Sequence, residues 1–209
     1  MKSNNLSTTR RESLTSDKDR QDEAYKLGAY DYLSSLHMVP RYGIIGSYIN
    51  QLNVTSVLDI GCGVGTLGKF MAPGVKYIGI DISETAIGNA KADYTSSDLI
   101  SFECADLLKW TKPELKFDLV VWAGIGAGFN NKSTIEVALW RAVIEETIKI
   151  GKTDFILLLE FISEYEKYVD KITHGFNMIS RCSLVCNASA VHPTRVVQVL
   201  QHSPIKSKS

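Results

Sequence analysis

The chain is expected to fold as a single α/β domain: a doubly wound, mostly parallel sheet of seven strands that ends in an antiparallel hairpin. Three observations predict this. Short apolar runs rich in Val, Ile, Leu and Phe recur between stretches of helical periodicity from residue 22 to residue 202. The first two runs end in an acid, Asp59 and Asp81. The last two runs follow one another with no helical stretch between them. Strands that alternate with helices make a parallel sheet covered on both faces. Two consecutive strands without a crossover pair antiparallel.

The elements follow in order. Residues 1–20 are rich in Ser, Thr, Asn and charge, and are expected to be a disordered tail. Residues 21–202 form the domain, with 21–52 as a helical cover and 203–209 as a frayed polar tail. From Asp22, the apolar positions Ala24, Tyr25, Leu27, Tyr30, Leu33 and Leu36 fit an amphipathic helix that Pro40 interrupts. The N-terminus, residues 1–40, is expected to close over the site as a lid. A second helix is predicted over Arg41–Leu52, then a strand over Ser56–Ile60. A short helix over Thr66–Ala72 stops at Pro73-Gly74, and the next strand is Tyr77–Ile80. Ser83 is a candidate N-cap for the helix through Ala90. Strands are predicted at Ile100–Cys104 and Phe117–Trp122. Ser133 and Glu136 make a capping-box pattern for a helix to Lys149, and Ser163 and Glu166 make another after the strand Phe155–Phe161. The closing strands are Met178–Cys186 and Val196–Gln201.

Composition excludes several classes. With 209 residues, 44% hydrophobic and 22% charged, the chain suits one globular domain. The formal net charge is +0, and the basic residues are scattered. Nucleic-acid partners call for a basic face, so none is expected. No apolar stretch is long enough to span a bilayer, and the polar start Met1-Lys2-Ser3 is no signal peptide. The expectation is therefore a cytoplasmic protein with no membrane partner. The four cysteines suggest neither a disulfide framework nor a metal site: Cys182 and Cys186 have no second pair to complete a ligand set.

The chemistry concentrates in two runs. Val57 to Gly65 reads Val-Leu-Asp-Ile-Gly-Cys-Gly-Val-Gly, and Tyr77 to Asp81 reads Tyr-Ile-Gly-Ile-Asp. Two carboxylates at neighbouring strand tips beside a turn with little side-chain bulk make a pocket for a ribose-bearing ligand. Glycines let backbone approach the ligand, and the acids accept from sugar hydroxyls or attract a cation. The first run resembles the first motif of the class I S-adenosylmethionine (SAM) methyltransferases, without a gap. Asp81 sits where that family has its second acid. Phe102–Leu107 resembles the family's third-strand segment, and Phe117–Trp122 its fourth strand. The resemblance covers roughly residues 40 to 160 and implies the small-molecule type of this family. A competing pattern overlaps it. Gly63, Gly65 and Gly68 also fit the dinucleotide fingerprint, with Asp81 about 18 residues on, which keeps an NAD(P)-dependent oxidoreductase as an alternative. Asp59, two positions before the first glycine, would repel a pyrophosphate but suits the ammonium of SAM, and Asp106 has no place in the dinucleotide pattern.

The resemblance implies a role for each matching position. Gly61, Cys62 and Gly63 would line the methionine part of SAM through backbone atoms, with Asp59 near its ammonium. Asp81 would accept from both ribose hydroxyls. Ile82 would press on the adenine, Asp106 would accept from its amino group, and Leu107 would pack beside it. Trp122 would pass near the sulfonium, and Arg41 would pair with the SAM carboxylate. S-adenosylhomocysteine would be the product. The segment after the fourth strand, Ala123–Asn131, lacks the Asn/Asp-Pro-Pro-aromatic signature of enzymes that methylate base amino groups. The implied acceptor is a small metabolite with a hydroxyl or amine. Glu160 and His37 are candidates for a general base, and Tyr32, His37, Phe129 and Glu160 for acceptor contacts. A SAM-binding protein without methyl transfer is the alternative of another class. The sequence leaves the acceptor and the oligomeric state open.

Overall fold

Strand β1 (Ser56–Ile60) is an interior strand of the sheet, and four of its five residues are buried. It pairs in parallel with β2 (Lys76–Asp81) on one side and β4 (Phe117–Ile125) on the other. β3 (Ile100–Cys104) adds to β2, and β5 (Gly151–Ile162) to β4, both in parallel. β7 (Thr194–His202) and β6 (Phe176–Val185) complete the sheet antiparallel. The order is β3-β2-β1-β4-β5-β7-β6, seven strands in all, so the predicted fold class and the closing hairpin are what forms. The structure is a computed structural model and describes residues 18–36, 38–94, 97–111, 114–125, 134–186 and 194–203.

Period-two alternation sorts the strand residues between two apolar layers. Leu58, Ile60, Ile78, Val120, Leu157 and Leu159 face helices α4 (Thr134–Ile150) and α5 (Glu166–Ile172), where Trp140, Ile144 and Val169 meet them. Val57, Tyr77, Leu119, Val121 and Leu158 face α2 (Val39–Gln51) and α3 (Glu84–Asp93), through Ile45, Ile49, Ile87 and Ala90. Asp59 shares the side of β1 that faces α2 and α3, which makes it a polar position inside an apolar row.

The N-terminal cover departs from the single long helix the periodicity suggests. Residues 18–26 form helix α1, which takes in residues 18–20 of the stretch expected to be a tail. The helix then gives way to a turn and a 3-10 segment over Asp31–Ser34. Gly28 takes φ +71° in this turn, and a β-carbon there would stand 2.7 Å from the Asp31 carboxylate. Pro40 opens α2 rather than breaking a helix, because the first turn has no use for the N–H that proline lacks. Ser83 caps α3 as expected, its Oγ accepting from the Ala86 amide at 3.1 Å. The segment after the glycine turn is a 3-10 turn, Thr66–Phe70. Strands β4 and β5 run longer than their apolar cores, since pairing continues past the residues that hydrophobicity marks.

Candidate functional site

Strand order reverses between β1 and β4, and at such a switch point an open α/β sheet leaves a crevice beyond the carboxyl ends of its strands. The turn after β1 is tied to the tip of β2: the amides of Gly61 and Cys62 donate to the Ile80 carbonyl at 2.8 and 3.0 Å. The chain then reverses through Gly63, with φ +56°. The Gly63 amide donates to Asp81 Oδ2 at 3.0 Å, and the Ser83 amide to Asp81 Oδ1 at 2.9 Å. Asp81 is therefore fixed in orientation by backbone at both oxygens. Burial raises its pKa above the ordinary carboxyl value, against the pull of these amides. Asp59 is buried on the neighbouring strand and accepts from the Tyr77 hydroxyl at 2.5 Å. Burial, partly opposed by that hydrogen bond, pushes its carboxyl up to about 7.

Helix α1 lies across this corner. Asp22 Oδ1 accepts from Ser83 Oγ at 2.6 Å and from the Thr85 amide at 3.1 Å, and Lys18 pairs with Glu84 at 2.6 Å. These contacts hold α1 on the first turn of α3. One turn further, the Tyr25 hydroxyl approaches Gly63 so closely that a β-carbon there would stand 2.7 Å from it. The Tyr25 ring packs tilted against Tyr30, with centroids 4.7 Å apart, and the Tyr30 hydroxyl donates to Gln21 at 2.8 Å.

The opposite wall is a buried charge cluster drawn from four elements. Glu160, near the end of β5, is wholly buried. Its Oε2 accepts from Arg41 Nη1 of α2 at 2.9 Å, from the Gly124 amide of β4 at 2.7 Å and from Arg195 Nη2 of β7 at 3.2 Å. Its Oε1 accepts from Arg195 Nε. Arg41 Nη2 donates to the Tyr42 hydroxyl at 2.6 Å, and the guanidinium carbon sits 4.4 Å from the centre of the Tyr42 ring. Arg41 Nε is buried and has no hydrogen-bond partner among the described residues. Burial works against the Arg41 cation, but Glu160 and Tyr42 together more than offset it and raise the pKa.

Between these walls lies a cavity of about 240 Å³. Of the predicted cofactor residues, Arg41, Asp59, Gly61, Cys62, Gly63, Asp81 and Trp122 line it. Ile82, Asp106 and Leu107 do not. Leu107 is buried in the apolar layer, and Asp106 accepts from the Leu108 amide at 3.0 Å and pairs with Lys109 at 3.4 Å. Among the acceptor candidates, Tyr32 is 51% exposed on the 3-10 segment and off the cavity, which its neighbours Tyr30 and Leu33 line instead. The turn at residues 27–30 rotates the following residues away from the phase that a continuous helix would give. Glu160 stands behind the wall, with Arg41, Arg195 and Gly124 between it and the space. His37 and Phe129 lie outside the described residues. Arg195 and Tyr42 line the cavity and were not among the expected residues. A lone arginine opening the apolar strand Thr194–His202 was the available signal for the first.

The residues present fit SAM. Two carboxylates are held at adjacent strand tips, the glycine turn leaves backbone open, and the buried orphan N–H of Arg41 calls for an acceptor. Residues 57–145 match a family model described as a methyltransferase domain. A tRNA1(Val) (adenine(37)-N6)-methyltransferase from Vibrio campbellii is 32% identical over 84 residues, 37% of this chain and 35% of that protein. The chain spans about a third or less of the length of the curated relatives it matches. Among solved structures, the N-methyltransferase NodS from Bradyrhizobium japonicum WM9, in complex with S-adenosylhomocysteine, superposes with a TM-score of 0.68 at 18% identity, over 83% of this chain and 91% of that one. Magnesium protoporphyrin IX methyltransferase from Synechocystis PCC 6803, with bound S-adenosylhomocysteine, gives 0.72 at 16% identity, over 90% and 99%. At such identities the likeness is one of fold. No helix among the described residues is long and apolar enough to cross a membrane.

Proposed function

We propose, from the premise that residues 57–145 carry a methyltransferase domain on the fold of SAM-dependent methyltransferases, that this chain transfers the methyl group of SAM to a hydroxyl or amine of a small-molecule acceptor. The observation that carries this reading is that Asp59, Asp81 and Arg41 line one cavity. These groups suit, in turn, an ammonium, a pair of ribose hydroxyls and a carboxylate. SAM, when bound, supplies an electrophilic methyl on a sulfonium whose departure leaves a neutral thioether. Asp81, locked by two backbone amides, orients the ligand. The wall of Trp122, Ala123 and Gly124 bounds the space where the acceptor approaches. Positioning and exclusion of water are the chain's main contributions, because an in-line transfer to an amine needs no base at the moment of reaction.

Two features support a small acceptor. Helix α1 and the Asp31–Ser34 turn narrow the space above the glycine turn, with Tyr25, Tyr30 and Leu33 on the wall. The Trp122-Ala123-Gly124 segment carries no Asn/Asp-Pro-Pro pattern, although one relative acts on a tRNA adenine.

Calorimetric titration with SAM, S-adenosylhomocysteine and NAD(H) tests the cofactor, with Asp81→Ala as control. SAM and its product should bind, and Asp81→Ala should weaken both at least about a hundredfold, since a bidentate charged hydrogen bond is worth ~3 kcal/mol. Binding of NAD(H) instead would sink the reading. Transfer of labelled methyl onto a panel of hydroxyl and amine metabolites, with bulk tRNA included, then tests the acceptor class. Labelling of tRNA alone would refute a small acceptor.

A further inference from the structure

The Arg41–Glu160–Arg195 cluster is more heavily built than a strand tip needs. Arg41, Glu160 and Arg195 are 2%, 0% and 5% exposed, and two guanidiniums share one carboxylate. The three side chains therefore carry surplus positive charge at the cavity wall, where desolvation makes an unbalanced charge costly unless a ligand anion completes it. Glu160 is poorly placed to take a proton from an acceptor: donors from Arg41, Arg195 and Gly124 occupy both its oxygens. What its geometry does control is the pose of Arg41. One terminal nitrogen of that guanidinium is held by Glu160 and the other by the Tyr42 hydroxyl, with the Tyr42 ring against the guanidinium. Its third nitrogen, Nε, is buried and has no partner among the described residues.

We propose that Glu160 and Tyr42 are positioning residues: they anchor the two ends of the Arg41 guanidinium and so preset this cavity-lining side chain for the carboxylate of the cofactor's amino-acid end. The inference rests on the reading above, in which that carboxylate meets Arg41. Arg195 supplies the second fork on Glu160, which holds the carboxylate aimed at Arg41. The Gly124 amide on the same oxygen ties this arrangement to the end of β4, beside the space assigned to the acceptor. A preset guanidinium loses little freedom on binding, so the anchors act on affinity for the amino-acid end and not on the adenosine.

The test compares two probes on wild type, Glu160→Gln and Tyr42→Phe by calorimetry. S-adenosylhomocysteine carries the amino-acid end; 5′-methylthioadenosine keeps the adenosine and the thioether but lacks it. The expected result is a loss of about tenfold for S-adenosylhomocysteine in Glu160→Gln and about threefold in Tyr42→Phe, with 5′-methylthioadenosine within about twofold of wild type in both. A merely structural role would weaken both probes alike, and that outcome overturns the proposal. So does unchanged or tighter binding of S-adenosylhomocysteine, which would make Glu160 a competitor for Arg41. Should Glu160→Gln fail to fold, Tyr42→Phe decides, because it keeps the ring and removes a single hydroxyl. A wild type that binds neither probe would overturn the cofactor assignment and this inference with it. Wild-type binding that both variants leave untouched overturns this inference alone.

Discussion

Asp59 shows how one residue carries a functional charge inside an apolar row. Leu58 and Ile60 face one layer, and Asp59 faces the other beside Val57 and Val121. Among the described residues its hydrogen-bond partner is the Tyr77 hydroxyl, and burial pushes its carboxyl up to about 7. A carboxyl raised on folding stabilises the fold fully below its unfolded value and loses that contribution as pH rises through the folded one. The ligand-free protein should thus lose stability from this group between about pH 4 and pH 7, a loss that Asp59→Asn removes. A cationic ligand reverses the preference, because an ammonium beside Asp59 favours its ionised form. SAM should then bind about tenfold more weakly at pH 6 than at pH 8, with uptake of SAM releasing a proton near pH 6. Calorimetry in buffers of differing ionisation heat reads both, and a flat profile that Asp59→Asn leaves unaltered would refute the assignment. The motif Val57–Gly65 marked Asp59 in advance, but nothing local marked Tyr77 as its partner: that tyrosine sits in an ordinary apolar strand and meets Asp59 only through the register of β1 on β2.

At the scale of elements, the cover and α3 form one unit. Asp22 serves the first turn of α3 from another helix, accepting from Ser83 Oγ and the Thr85 amide, while Ser83 itself caps Ala86. Its hydrogen bond from Ser83 leads the effects that hold the Asp22 carboxyl below the usual range. Removing such a capping acceptor costs about 1 kcal/mol, which is about fivefold in the population of an opened segment. Asp22→Ala should therefore raise the rate of proteolytic cleavage within residues 18–36 about fivefold, with bound S-adenosylhomocysteine suppressing cleavage less than in wild type. Equal cleavage in the two proteins would mean that Tyr25 and its neighbours hold α1 without the latch. Sequence periodicity found a helical cover but drew it as one helix to Leu36. The break at residues 27–30 depends on Gly28 and on Asp31 packing against it, and an i, i+3 pattern carries no sign of either.

At the scale of the whole molecule, the crevice exists because the chain winds outward from β1 in two directions, first through β2 and β3, then through β4 and β5. The Arg41–Glu160–Arg195 cluster joins α2, β5 and β7, which are far apart along the chain. A ligand that completes the cluster should stabilise the fold globally. At a hundred times its dissociation constant, S-adenosylhomocysteine should add about 2.7 kcal/mol and raise Tm by about 5–10 °C. A shift below about 2 °C at that saturation would show that the unfolding unit does not include the site.

The sequence by itself determined the α/β class, seven strands in order, the closing hairpin and the acids at the tips of β1 and β2. It could do so because alternation, capping residues and glycine turns are local signals, each written within a few neighbouring residues. Only the tertiary structure decided that Glu160 lies behind two arginines, that Tyr32 turns out to solvent while Tyr30 turns in, and that Arg195 and Tyr42 join the wall. Those placements depend on strand register and helix docking across up to 119 residues of chain, as between Arg41 and Glu160. Contacts at that separation are set by how whole layers pack, and no short window of sequence encodes that packing.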